Sequence, residues 1–324
     1  MEIWNTKMVF INERNERSEN IMLWTEKYRP KNIKEIYGQN NFVLDAEHWL
    51  QNKEMPNLLL YGVAGVGKTT AAIALANDLL GEFIRANFFE INASDDRKLE
   101  TVRTRIKEIA STSKIGEVPF KIILLDEMDG MTKDAQNALK RIMERYSSNC
   151  RFIITCNSRH KIIFPLQSRC ANYLFNRLSD SDMVQVMTSV LNEEGISSVS
   201  EDDLEKFITY LHGDIRRGLT ELQASVSSNS SLLYQIDKNL EPYTKILELI
   251  NTNEYTNCLE KVHKLLYQSV DMKTVCINLH DTIVKSDLES KKKFKLLRVV
   301  GECEWRSSNM TPKVLASWMV GQMI

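Results

Sequence analysis

The residues best able to do chemistry lie in two short runs. Gly62-Val63-Ala64-Gly65-Val66-Gly67-Lys68-Thr69 fits G-x-x-x-x-G-K-[ST], the pattern of a loop whose backbone N–H groups wrap the phosphates of a nucleotide. In such a loop Lys68 reaches the β/γ-phosphates, the Thr69 hydroxyl helps hold Mg²⁺, and the helix that continues from Thr70 adds a favourable dipole. A plain Gly-rich strand-to-helix turn is the bland alternative. The loop, however, follows the apolar run Leu58-Leu59-Leu60-Tyr61 and precedes an Ala-rich helical pattern, Thr70 to Leu80, closed by Gly81, so both context requirements of the motif are met. The second run, Ile122-Ile123-Leu124-Leu125-Asp126-Glu127, is an apolar strand ending in two carboxylates. Asp126 suits Mg²⁺ and Glu127 suits a water to be oriented or deprotonated. Acidic residues also end strands as turn formers, but beside a phosphate loop that reading loses. Because hydrolysis needs a residue to position water, the pair argues against a small-molecule kinase.

Four further positions are candidates on weaker grounds. Asn157, after Thr155-Cys156, ends the next apolar run and suits a water or a γ-phosphate, although a polar strand terminus looks the same. Arg169, in Ser168-Arg169-Cys170, and Arg216, in Asp214-Ile215-Arg216-Arg217, are arginines of a type usually left in solvent. Arg97 and Lys98 follow Asn92-Ala93-Ser94-Asp95-Asp96 at the start of a helical pattern, where free N–H groups favour the phosphates of a nucleic-acid backbone. Asp95 and Asp96 count against this, since they could cap the helix and leave Arg97 solvated.

These residues need a scaffold, and the flanking pattern supplies one. From Asn57 to about Arg177, short apolar runs (Leu58–Tyr61, Phe88–Asn92, Ile122–Leu125, Phe152–Thr155, Tyr173–Phe175) alternate with helical patterns. Such runs are what strands covered on both faces require, so the sheet is expected to be parallel with helices on each side. Val102, Ile106, Ile109 and Ala110 share one helical face, as do Ala135, Leu139, Ile142, Met143 and Tyr146, with Thr132 as N-cap of the second helix. After Leu178 the strand signal stops. Helices are expected from Ser179 to Gln223, then a Ser-rich link, Ser225 to Ser231, then further helices from Tyr243 to Ile324. Residues 1–21 are polar and charge-mixed and read as an appendage, with Met8 and Met22 as alternative starts.

Composition narrows the class. The chain has 324 residues, 43% hydrophobic and 26% charged, with a net charge of −1. That is a globular chain of about two or three domains, and a nucleic-acid partner must be met by a local patch rather than by bulk charge. The six cysteines are widely spaced without C-x-x-C or a His cluster, so zinc and redox motifs fail and reduced, intracellular thiols are expected. No apolar run approaches the roughly 18 to 20 residues of a membrane span, and the N-terminus lacks the pattern of a signal peptide.

One resemblance orders all of this. Trp24-Thr25-Glu26-Lys27-Tyr28-Arg29-Pro30, Ile36-Tyr37-Gly38-Gln39, the phosphate loop, Asn92-Ala93-Ser94-Asp95-Asp96-Arg97, Leu125-Asp126-Glu127-Met128-Asp129, Thr155-Cys156-Asn157, Ser168-Arg169-Cys170 and Gly213-Asp214-Ile215-Arg216-Arg217 together resemble the box series of replication factor C small subunits, the AAA+ ATPases of clamp loaders. The likeness runs from about Leu23 to Gln223 and more loosely beyond, where Glu302-Cys303-Glu304-Trp305-Arg306 is similar to a collar segment.

The resemblance implies an α/β AAA+ P-loop domain with a parallel sheet over 22–178, a helical lid over 179–231 and an all-α collar over 232–324. It implies ATP and Mg²⁺ as cofactors. Thr25, Arg29 and Tyr37 would lie at the adenine end and Gly62 to Thr70 around the phosphates. Thr69 and Asp126 would serve the metal, Glu127 the water, Asn157 as sensor 1 and Arg216 as sensor 2. Arg169 would act in trans on the neighbouring subunit's ATP, and the position of Arg97 would couple DNA contact to Glu127. The implied partners are other subunits of a hetero-oligomeric ring, a pentamer in the family, a sliding clamp of PCNA type and primed double-stranded DNA, with no membrane. The implied compartment is the nucleus for a cellular eukaryotic protein and the cytoplasm for an archaeal or viral one. Two rival functions are a non-hydrolysing structural subunit of such a ring and another AAA+ DNA-remodelling ATPase. Val63-Ala64 replace two prolines usual in the family and Val66 a threonine, changes that spare backbone contacts to phosphate.

Overall fold

A computed structural model describes residues 22–93, 99–228, 230 and 232–324. The chain forms two compact units that divide between residues 229 and 230.

The first unit is built on a five-stranded sheet of order β2-β3-β4-β1-β5, all pairs parallel. In chain order its elements are a short helix α1 (Trp24–Lys27), α2 (Asn40–Asn52), β1 (Leu58–Tyr61), α3 (Lys68–Leu80), α4 (Ile84–Asn87), β2 (Phe88–Asn92), α5 (Leu99–Ser111), β3 (Lys121–Asp126), α6 (Lys133–Arg145), β4 (Cys150–Cys156), α7 (Phe164–Gln167) and β5 (Ala171–Leu174). Three helices follow: α8 (Asp180–Glu193), α9 (Glu201–Leu211) and α10 (Ile215–Ser227).

The expectation of strands covered on both faces holds for β1, β3 and β4 but not for the edge strands β2 and β5, which expose Glu90, Asn172 and Leu174. Alternation along each inner strand decides which layer a residue joins. Leu58, Leu60, Ile122 and Leu124 pack with Phe42, Ala46, Ala72 and Leu75 of α2 and α3. Leu59, Ile123, Leu125 and Ile154 pack on the other side with Ile106, Leu139 and Ile142 of α5 and α6. At roughly 25 cal/mol per Å² of apolar surface removed from water, these two layers are the main force holding the sheet. The order matters for function. β1 lies between β4 and β5 while β2 lies at the far edge, so the chain reverses direction across the sheet at β1, and the crevice beyond the carboxyl ends of β1, β3 and β4 is where ligands bind in such sheets.

Element ends differ from the sequence pattern in instructive ways. The helix after the phosphate loop begins at Lys68, not Thr70, because Gly67 at φ 89° turns the chain directly into it. β4 runs from Cys150 and β5 stops at Leu174. Thr132 caps α6 as expected, its hydroxyl accepting from the Ala135 N–H at 3.4 Å.

The second unit is helical: α11 (Leu232–Asn251), α12 (Tyr255–Tyr267), α13 (Met272–Lys285), α14 (Ser290–Arg306) and α15 (Pro312–Met323). It has its own core, with Ile246, Val262, Leu279, Leu296 and Leu315 at its centre. The Ser-rich link is shorter than its composition suggests, since residues 225–227 finish α10 and α11 begins at Leu232. α11 starts eleven residues before the expected Tyr243. Pro242 lies inside it, and a proline normally marks a helix end. The six cysteines are buried free thiols, three in each unit. Among the described residues no helix is long and apolar enough to cross a membrane.

Candidate nucleotide site

The phosphate loop leaves β1 at Tyr61 and enters α3 at Lys68, and its glycines are forced by neighbours as much as by curvature. A Cβ on Gly62 would stand 2.2 Å from the Phe175 carbonyl oxygen. Gly65 has φ 82°, and a Cβ there would stand 2.6 Å from Asp214 Oδ1. Asp214 in turn caps α10, accepting from the Arg217 N–H at 3.1 Å. The loop and the start of α10 are therefore fitted to each other, which brings Arg216 to the loop. Val66 is buried in the apolar layer beside α3, so an apolar side chain at this position is paid for by packing.

Lys68 is 8% exposed. Its ammonium donates to the carbonyls of Gly62 and Val63, both at 2.8 Å, and to Asn157 Oδ1 at 3.0 Å. Burial lowers its pKa from the usual lysine value, opposed by the carboxylates of Asp126 and Asp129 and assisted by Arg216. Asn157 thus sits against the lysine of the loop. Its own N–H donates to Asp129 Oδ1 at 3.3 Å, and Asp129 also pairs with Lys161 at 3.7 Å.

The carboxylates at the end of β3 complete the centre. The Thr69 hydroxyl contacts both Asp126 oxygens, at 3.0 and 3.2 Å. The Thr155 hydroxyl donates to Asp126 Oδ1 and accepts from the Glu127 N–H at 3.2 Å. Glu127 has φ 54° and ψ 40°, a left-handed conformation that costs a non-glycine residue about 1 kcal/mol or more and persists where surrounding structure enforces it. One hydroxyl and one carboxylate form a hard oxygen set that suits Mg²⁺, which completes its shell with phosphate oxygens and water. Among the described residues no group of three His, Cys, Asp or Glu side chains could hold a metal by itself.

Beside this centre is a cavity of about 620 Å³ lined in part by Thr25, Arg29, Tyr37, Gly65, Thr70 and Arg216, within the size range of about 300–1,000 Å³ typical of cofactor sites. Arg29 Nε donates to the Thr70 hydroxyl at 3.4 Å and its other end pairs with Glu26 at 3.2 Å. The segment carrying Thr25 and Arg29 is strapped to the helices after the sheet. Trp24 N–H donates to Gln223 Oε1 at 2.9 Å, and Glu194 takes both the Lys27 ammonium, 2.8 Å, and the Tyr28 hydroxyl, 2.7 Å. Lys27 and then Tyr28, through these bonds, hold the Glu194 carboxyl below its usual pKa.

The structure therefore gathers Thr25, Arg29, Tyr37, the loop from Gly62 to Thr70, Asp126, Glu127, Asn157 and Arg216 around one crevice. Arg169 is elsewhere: it does not line the cavity, and its guanidinium is held by Glu144 and the Pro165 carbonyl. Arg97 and Lys98 fall outside the described residues. Sequence reasoning gave no role to Asp129 or Thr155. Asp129 was signalled by a third acid so close after Asp126-Glu127, and Thr155 by a hydroxyl inside an otherwise apolar run.

Comparison with known proteins agrees with this geometry. Residues 58–178 match the family described as ATPase family associated with various cellular activities (AAA). The replication factor C small subunit of Methanococcus vannielii is 38% identical over 290 residues, 87% of this chain and 92% of that one. That of Archaeoglobus fulgidus is 38% identical over 296 residues, 89% and 92% of the two chains. The Thermotoga maritima RuvB Holliday junction branch migration motor superposes with a TM-score of 0.55 at 16% identity, over 69% of this chain and 79% of that one, a likeness of fold alone. A phosphate loop facing paired carboxylates across the switch point of a parallel sheet, together with relatives matched over nearly their whole length, settles the family: the chain belongs to the replication factor C small subunits, ATPases of the AAA family.

Proposed function

We propose that the chain is an ATP-hydrolysing subunit of a clamp loader, which within a hetero-oligomeric ring opens a sliding clamp of PCNA type and loads it on primed double-stranded DNA. The observation that carries this reading is the pair of adjacent hydrogen-bonded chains, one joining Lys68 to Asn157 and the other running from Thr69 through Asp126 and Thr155 to the backbone of Glu127. A subunit that only propped up a ring would have no use for it.

The roles follow from position. The loop N–H groups and Lys68 bind the β/γ-phosphates, Lys68 exchanging a carbonyl for a phosphate oxygen. Thr69 and Asp126 would hold Mg²⁺, which when bound neutralises charge on the phosphates. Glu127 takes a proton from the attacking water. Asn157, already on Lys68, orients the γ-phosphate end, and Arg216 supplies positive charge from α10. Thr25, Arg29 and Tyr37 enclose the adenine end. Arg169, outside its own cavity, completes a neighbour's site. In this reading residues 22–178 are the nucleotide-binding domain, 179–231 a lid and 232–324 the collar, and Arg97 and Lys98 contact the DNA backbone inside the cell.

The test is ATP turnover by the complex that this chain forms with its partner subunits, with and without clamp and primed DNA. Turnover stimulated by both, and abolished by Glu127→Gln while ATP binding persists, is the expected result. Glu127→Gln with normal stimulated turnover would assign hydrolysis to other subunits and favour the structural role. Stimulation by branched DNA without a clamp would favour a remodelling motor.

A further inference from the structure

We propose that Glu144 is the positioning residue of Arg169, orienting its guanidinium toward the neighbouring subunit's nucleotide. The proposal rests on the reading of Arg169 as an arginine acting in trans.

Arg169 Nε donates to Glu144 Oε1 at 2.9 Å, Nη2 donates to the same oxygen, and Nη1 donates to the Pro165 carbonyl at 2.6 Å. These bonds engage three of the five N–H groups of a guanidinium, leaving one on Nη1 and one on Nη2 for an outside acceptor. The root of the side chain is also fixed. Arg169 N–H donates to the Leu166 carbonyl at 3.0 Å, and the next residue, Cys170, is 9% exposed. A long side chain on a rigid root, held along one edge, presents its free end in one direction.

Nothing in its own helix accounts for Glu144. It lies in the last turn of α6, where a carboxylate opposes the helix dipole. Lys140 and Arg141, one turn earlier, stand at the spacing of ordinary helical partners, yet the carboxylate pairs with an arginine 25 residues along the chain. An exposed ion pair adds little to folding, so its consequence is orientation. The platform is firm: Ile142 and Met143, just before Glu144, are buried under the sheet.

The experiment measures ATP turnover of the assembled complex, with clamp and primed DNA, for wild type, Arg169→Ala, Glu144→Ala, Glu144→Gln and the double alanine variant. Arg169→Ala should lose roughly 10³ to 10⁵ in rate, the usual worth of a trans arginine. Glu144→Ala should lose about 10- to 100-fold in kcat, the scale of a misplaced group, with KM for ATP and the thermal midpoint unchanged. Glu144→Gln, whose amide oxygen still accepts from Nε–H, should recover most of that loss. In the Arg169→Ala background Glu144→Ala should cost nothing more. A Glu144→Ala complex with normal or raised turnover beside a dead Arg169→Ala complex overturns the positioning role alone. An additive loss in the double variant, or a loss through KM and stability, does the same. Full turnover with Arg169→Ala instead removes the trans arginine itself.

Discussion

At the scale of single residues, the structure separates neighbours that the sequence presents as equals. Arg216 and Arg217 are adjacent, but Arg216 lines the nucleotide cavity while Arg217 pairs with Glu221 at 2.7 Å and lies over the Tyr210 ring at 4.5 Å. Arg217→Ala should therefore cost about 1 kcal/mol of folding stability, the sum of a partly exposed ion pair and a cation–π contact, and leave ATP affinity intact. Arg216→Ala should do the reverse, and denaturation midpoints beside nucleotide titrations of the two variants check the contrast. Lys68→Ala should abolish tight ATP binding, since under the proposed function it removes the ammonium that meets the β/γ-phosphates; fluorescent-nucleotide titration reads this directly. The chemistry of the crevice was legible because phosphate loops and acidic strand ends are contiguous in sequence. The pairing of Glu144 with Arg169 was not, because it joins two loosely patterned positions that only the packing of α6 beside α7 brings together.

At the scale of elements, one buried amide ties the helix after the carboxylates to the segment after Asn157. Gln136, 1% exposed, donates to the carbonyls of Met131, 3.1 Å, and Lys161, 3.0 Å, and accepts from the Ile163 N–H at 2.8 Å. Gln136→Leu keeps the volume and strands three backbone groups, so it should destabilise the first unit by about 2–4 kcal/mol, measured as a fall in the urea midpoint. The inner strands β1, β3 and β4 were the most legible elements, since burial on both faces leaves nearly uninterrupted apolar runs. Buried polar hubs such as Gln136 looked like any surface residue of an amphipathic helix. The start of α11 was hidden for a different reason, because Pro242 lies inside it and a proline normally marks a helix end.

At the scale of the whole molecule, each unit encloses a separate core, and the helices of the second had a period in sequence but no motif to say what they pack against. Burial pushes the thiols of Cys150, Cys156 and Cys258 up to about 11 and that of Cys170 to about 12, and Cys276 rises through its hydrogen bond with Cys303. At pH 8 the native chain should react with iodoacetamide only as fast as a unit opens, because all six thiols are buried and the raised pKa of Cys150, Cys156, Cys170, Cys258 and Cys276 withholds the thiolate as well. Cys150, Cys156 and Cys170 belong to one unit and Cys258, Cys276 and Cys303 to the other, so the chain carries a built-in counter with steps of three. Intact-mass spectra across a urea series should show peaks at zero, three and six adducts, the middle one mapping to a single unit by digestion. Gln136→Leu should move only the triplet that contains Cys150. A spectrum passing from zero directly to six would mean that the two cores open as one, and a lasting middle peak would show how much faster one side of the division at residue 229 opens than the other.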